Sequence, residues 1–275
     1  MTYREAIALG EKILNMADIT DAKNDAWLLL AMACKIDHTY YYVHMDEDMS
    51  AEEVKEYESI LKKRSERIPL QYITGEQEFM GLPFHVNSSV LVPRQDTETL
   101  VEQALKVIKP GMSVLDMCTG SGCILISILK NVENVTGYGY DISKQALNVA
   151  KDNAKLNHVY ATFEKSDCFE NVTELVDVIV SNPPYIPTAE IPGLMPEVSR
   201  FEPIEALDGK EDGLFFYRKI VEESREHLKD KGYLLFEIGC DQGEAVSSLM
   251  TYAGFQEVHV IQDLCHNDRV VMGHL

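Results

Sequence analysis

Apolar residues return every three or four positions over the first seventy residues. Ala6, Leu9, Ile13 and Leu14 share one helical face, and Trp27, Leu28, Leu30 and Ala31 mark a second helix. Ser50-Ala-Glu-Glu53 has the form of a capping box opening a helix to about Ser65. The texture changes at Pro69. Through Pro93, Gly75, Gly81 and Pro83 separate the strand-like runs Glu78-Phe-Met80 and Phe84-His-Val86, which read as a hairpin or linker. From about Thr97 onward strands and helices alternate. The strand candidates are Ser113–Met117, Val135–Tyr140, Asp177–Ser181 and Gly232–Glu237, with two closing strands at Phe255–Ile261 and Arg269–Met272. Amphipathic helices are expected near Ile124–Lys130, Ser143–Leu156, Leu214–Leu228 and Gly243–Tyr252. Such alternation predicts an α/β fold, a mainly parallel sheet with helices on both faces.

Composition narrows the class. With 275 residues and 45% hydrophobic positions the chain can build more than one packed core. No apolar stretch reaches the ~18 residues of a membrane span, and the first residues lack signal-peptide order, so a cytoplasmic protein is expected. The six cysteines include no Cys-x-x-Cys pair, which argues against a metal site. A formal net charge of −20 weighs against a nucleic-acid partner. The only dense basic cluster, Lys62-Lys-Arg64 with Arg67, reads as a solvated helix end, with a docking patch as the alternative.

Two stretches carry chemistry. Val114-Leu-Asp116 leads into Met-Cys-Thr-Gly120-Ser-Gly122 and then an apolar helix, so a glycine turn offers backbone N–H groups to a ligand. About twenty residues on, Asp141 ends the next strand, where a carboxylate can accept from ribose hydroxyls. The loop is neither G-x-G-x-x-G nor a phosphate loop. Asp116 suits a cationic ligand, and S-adenosylmethionine carries both an ammonium and a sulfonium.

The second stretch is Val178-Ile-Val-Ser-Asn182-Pro183-Pro184-Tyr185. Its apolar run should deliver Asn182 to the same sheet edge as Gly120. Two prolines remove two N–H donors and leave acceptors. An amide or aromatic amine nitrogen is a poor nucleophile because its lone pair is delocalised. The Asn182 side-chain oxygen and the Pro183 carbonyl can accept both N–H bonds and orient such a nitrogen, while Tyr185 stacks on the flat group.

These motifs resemble the HemK/PrmC family of release-factor glutamine N5-methyltransferases. The likeness extends over nearly the whole chain, through Pro69-Leu-Gln-Tyr-Ile-Thr-Gly75, Leu91-Val-Pro-Arg-Gln-Asp-Thr-Glu98, Asp116–Gly122, Asp141-Ile-Ser, Ser181-Asn-Pro-Pro-Tyr-Ile186, Phe201-Glu-Pro203 and Glu237-Ile-Gly239. Asn-Pro-Pro-Tyr alone is shared with DNA and RNA amino-methyltransferases, and a ribosomal-protein glutamine methyltransferase would have a similar site. The resemblance implies a five-helix substrate-recognition domain over 1–72, a hairpin linker over 73–93, and a seven-stranded, Rossmann-like class I methyltransferase domain over 94–275. It implies a monomer acting on the Gly-Gly-Gln glutamine of class I peptide chain release factors, with S-adenosylhomocysteine as product. By position, Asp116, Cys118, Thr119, Gly120, Ser121, Gly122, Asp141, Cys168 and Asn182 would hold the cofactor. Asn182, Pro183, Pro184 and Tyr185 would hold the glutamine, with Asn182, Pro183 and Tyr185 catalytic. Cys118 stands where many members have the first loop glycine, and Cys168 where some carry an aromatic residue beside the adenine. Arg94 and Glu98 are expected either to brace the linker or to form an interdomain salt bridge, and Glu202 and Glu237 are structural candidates near the substrate loop.

Overall fold

The computed structural model describes residues 1–275. The chain divides into two compact units, Met1–Gly75 with Met195–Phe201, and Glu76–Leu194 with Glu202–Leu275.

The first unit holds α1 (Tyr3–Met16), α2 (Ala22–Cys34), α3 (His38–His44), α4 (Ala51–Ser65) and α5 (Leu70–Thr74). The expected box is present at α4, where Glu53 N–H donates to Ser50 Oγ at 3.2 Å and Ser50 N–H donates to Glu53 Oε2 at 2.8 Å. A second box, Thr2 with Glu5, opens α1. The buried face of α2 is Ala22, Ala26, Leu29 and Leu30, spaced i, i+4, i+7 and i+8, so Leu28 points outward instead of inward. Tyr57 is fully buried beneath α1 and α2, and its hydroxyl donates to the Ala6 carbonyl at 3.1 Å.

The basic cluster at the end of α4 differs from expectation. Lys62 and Lys63 are exposed, but Arg64 is buried and Arg67 partly so. Arg64 Nε donates to Asp25 at 2.7 Å and its Nη1 to Glu197 at 2.9 Å, while Arg67 Nη2 donates to Glu197 at 2.6 Å. Asp25 and Glu197 are themselves buried, which explains why two of the four cations leave solvent.

The second unit opens with a hairpin of β1 (Glu76–Phe79) and β2 (Leu82–His85). Then follow α6 (Glu98–Val107), β3 (Ser113–Met117), α7 (Cys123–Asn131), β4 (Thr136–Asp141), α8 (Lys144–Leu156), β5 (Thr162–Lys165) and β6 (Val176–Ser181). The short helix α9 (Pro196–Phe201) falls in the first unit. The chain continues through α10 (Phe215–Ser224), β7 (Leu228–Glu237), α11 (Gly243–Tyr252), β8 (Gln256–Gln262) and β9 (Asp268–His274). Seven strands form one sheet in the order β5-β4-β3-β6-β7-β9-β8, with β9 antiparallel to both neighbours and the other pairs parallel.

Alternate strand residues feed two cores. Val114, Val178, Val180 and Leu235 pack with α6, α7 and α8 on one face, and Leu115, Ile179, Leu234 and Phe236 with α10 and α11 on the other. The helix expected to reach Leu228 stops at Ser224, because Leu228 already pairs with Val176 as the start of β7. No helix is long and apolar enough to cross a membrane.

Candidate active site

Strand β3 lies between β4 and β6, with Met117 opposite Tyr140 on one side and Ser181 on the other. Residues 118 and 182 therefore leave the sheet beside Asp141, the last residue of β4, at the carboxyl edge, where the strand order reverses and α/β sheets bind ligands. Ser181 Oγ donates to the Met117 carbonyl at 2.6 Å and ties the two central strand ends together.

The loop from Cys118 to Gly122 is held from both sides. Thr119 N–H donates to the Tyr140 carbonyl at 2.9 Å, and Gly120 N–H to Asp141 Oδ2 at 2.9 Å. The other Asp141 oxygen accepts from Ser143 N–H at 2.8 Å, so this carboxylate shapes the loop and keeps spare lone pairs for a ligand. Asn153 donates to the Ser121 carbonyl at 2.9 Å and pairs with the His85 backbone, linking loop and hairpin. Gly122 has φ +80°, and a Cβ there would press on Ile126 and Ala150 at 3.0 and 3.1 Å. Cys118 adopts the left-handed region at φ 63° without being glycine, a conformation costing roughly 1–2 kcal/mol.

Asp116 is fully buried, not a solvated strand end. Its Oδ2 accepts from Thr119 Oγ1 at 2.6 Å, while Oδ1 has no partner. Desolvation pushes the carboxyl up to about 7, against the Thr119 hydrogen bond. A buried carboxylate with a free oxygen beside a glycine loop fits a cationic ligand. Cys168 is buried at φ 49° in the core that also holds Met117, and burial raises its thiol to about 12. Cys118 packs against the same core, its thiol raised by burial.

At the reaction end, Asn182 Nδ2 donates to Thr97 Oγ1 at 3.5 Å. The acceptor end of the carboxamide is thus the one left for a ligand. Pro183 and Pro184 are buried and Tyr185 is half-buried. The Tyr185 carbonyl accepts from Gln242 Nε2 at 3.0 Å, and Gly213 lies too close to it for any side chain. Burial raises the Tyr185 phenol. Glu237 follows the strand partner of Ser181 and is buried with Oε2 unpartnered. Desolvation lifts its carboxyl to about 7, opposed by hydrogen bonding from Thr97 and the Arg269 charge, and further by Asn182.

Arg94 donates to Glu202 at 2.6 Å, and both belong to the second unit, so this pair is not an interdomain bridge. Glu98 accepts from Met80 N–H at 2.6 Å and braces the hairpin against α6. Thr97, Asn153, Ser181 and Gln242 had not been singled out for the site, although Thr97 and Ser181 lie inside motifs quoted above and Gln242 follows Glu237-Ile-Gly239 closely.

Residues 5–75 match the PrmC N-terminal domain and residues 94–192 the methyltransferase small domain. A release factor glutamine methyltransferase from Geobacter sulfurreducens is 38% identical over all of this chain and 97% of its own length. The chain belongs to the release factor glutamine methyltransferase family. A second relative so named, from Cereibacter sphaeroides, is 40% identical across 100% of this chain and 99% of its own. A methyltransferase structure from Pyrococcus furiosus shares the fold at a TM-score of 0.54 and 17% identity, covering 70% of this chain and 89% of that one. As a methyltransferase of this family the protein uses S-adenosylmethionine as methyl donor and releases S-adenosylhomocysteine.

Proposed function

We propose that the enzyme methylates the side-chain amide nitrogen, N5, of the glutamine in the Gly-Gly-Gln motif of class I peptide chain release factors, in the cytoplasm. The observation that carries this reading is the β3–β6 register, which sets Asn182 beside the glycine loop with its amino end turned to Thr97. The donor's sulfonium supplies an electrophilic methyl carbon. Asp116, with its free oxygen, would hold the donor's ammonium, and the loop Cys118–Gly122 with Asp141 and Cys168 would surround the rest.

Asn182 Oδ1 and the Pro183 carbonyl accept the two N–H bonds of the glutamine amide. This fixes the plane of the amide so that the lone pair of nitrogen faces the methyl carbon. As the N–C bond forms and the S–C bond of the sulfonium breaks, leaving S-adenosylhomocysteine, positive charge would pass from sulfur to nitrogen, where the same acceptors would stabilise it. One N–H proton then leaves to solvent, because the alkylated amide is acidic and needs no strong base. Tyr185, pinned through its carbonyl by Gln242, stacks on the flat amide.

Mass spectrometry of a release-factor loop peptide within the intact factor tests the proposal. Incubation with enzyme and S-adenosylmethionine should add one methyl to the loop glutamine. Absence of that methyl, or undiminished labelling after replacement of the glutamine, rejects it. Labelling of a ribosomal protein instead would move the assignment to that substrate.

A further inference from the structure

Asn182 serves the reaction only if its carboxamide presents oxygen, not NH2, to the incoming amide. A carboxamide is nearly symmetric in shape, so something beyond packing must choose between the two orientations. The candidates are the groups behind it. Asn182 and Glu237 each follow directly on paired residues of adjacent parallel strands, Ser181 and Phe236. Thr97, buried at the start of α6, lies against both. Thr97 Oγ1 can donate or accept, but an ionised carboxylate can only accept.

Charge around Glu237 leaves that acceptor demand unmet. Arg269 is the nearby cation, yet it is shared with Asp96 and Asp263, each at 3.2 Å. The Tyr217 hydroxyl, 2.8 Å away, donates to the Glu237 backbone carbonyl instead of its side chain. Glu237 Oε2 is left buried and unpartnered. A buried carboxylate in this state attracts N–H groups, and the Asn182 amino group is one of those that act on it.

Building on the orienting role proposed above for Asn182, we infer that Glu237, acting with Thr97, is a positioning residue that selects the rotamer of Asn182 with Oδ1 facing the substrate. Glu237 itself touches no reacting atom. Removing it lets the carboxamide flip and present a donor to a donor, so turnover falls while cofactor binding is unaffected.

The test is a double-mutant cycle on the full-length enzyme, with methyl transfer to a release factor as readout and calorimetry for S-adenosylmethionine. Glu237→Ala is expected to lower kcat by about 10- to 100-fold, with the cofactor Kd within about threefold of wild type. Combined with Asn182→Ala, it should lower kcat no further than Asn182→Ala alone, within about twofold. Glu237→Gln, whose Oε1 still accepts, should restore activity to within about fivefold of wild type. If Glu237→Ala does not fold, Thr97→Val, which removes the hydroxyl that Asn182 donates to, enters the same cycle. Full multiplication of the losses in the double variant, or wild-type kcat in both Glu237→Ala and Thr97→Val, overturns the inference. Wild-type kcat in Asn182→Ala would instead overturn the orienting role of Asn182, a separate and distinguishable result.

Discussion

Asp116→Asn offers the sharpest test of the cofactor cradle. Asp116 is completely buried with one oxygen unpaired, and burial raises its carboxyl from 3.8 to about 7. A carboxyl whose folded value lies above its unfolded value stabilises the fold below the unfolded value, near pH 4. That contribution is lost as pH rises through about 7. Linkage between those two values gives a loss of about 2 to 3 kcal/mol between pH 5 and pH 8 from this one group. Asparagine cannot ionise. The variant should therefore gain on the wild type across that window, even if its unpartnered NH2 imposes a fixed penalty of about 1–3 kcal/mol. Glu237 titrates in both proteins, so its effect cancels in the difference. Urea unfolding of both proteins without cofactor at pH 5, 6, 7 and 8 measures it. Parallel stability curves would refute the buried, uncompensated carboxylate. The same change should weaken S-adenosylmethionine binding by about tenfold or more, since a cation loses its counter-charge.

Three further outcomes follow from the geometry. Asn182→Ala should cut kcat by about 100- to 1000-fold while calorimetry shows the cofactor Kd little changed; equal losses in both would count against an orienting role. Arg64→Ala strands buried Asp25, leaves Glu197 with Arg67 alone and should cost about 3–5 kcal/mol, whereas Arg4→Ala breaks an exposed pair with Asp46 and should cost far less. Similar denaturant midpoints for those two variants would contradict the burial argument. Gln242→Leu removes the donor to the Tyr185 carbonyl and should lower kcat/KM for the release factor about tenfold without altering cofactor affinity, measured by initial rates at saturating cofactor.

The elements easiest to read from the chain were those with the strongest local signal. β3 and β6 lie in the middle of a parallel sheet and are buried on both faces, so they appear as continuous apolar runs. The edge strand β5 buries only Phe163 of its four residues, and nothing in Thr162-Phe-Glu-Lys165 distinguishes it from a loop. The capping box at Ser50 was legible because both its hydrogen bonds span three residues. Arg64 was misread because its partners lie 39 and 133 positions away, distances over which spacing carries no information. The site divides in the same way. Asn182 announces itself through its prolines and its strand, but Thr97 meets it across 85 positions and only the folded sheet brings them together.

The excursion of Met195–Phe201 out of the catalytic unit has a practical consequence for anyone dissecting this enzyme. Twelve residues after Tyr185 the polypeptide contributes Glu197 to the ion-pair network of Arg64 and Arg67, then returns at Glu202. The peptide chain crosses between the units three times, so no single scission yields two intact pieces. A truncation beginning at Glu76 would strip Glu197 of both guanidinium partners on the very excursion that follows the Asn-Pro-Pro-Tyr turn. A graft of a foreign helical module would inherit the same orphaned carboxylate unless residues 195–201 travelled with it.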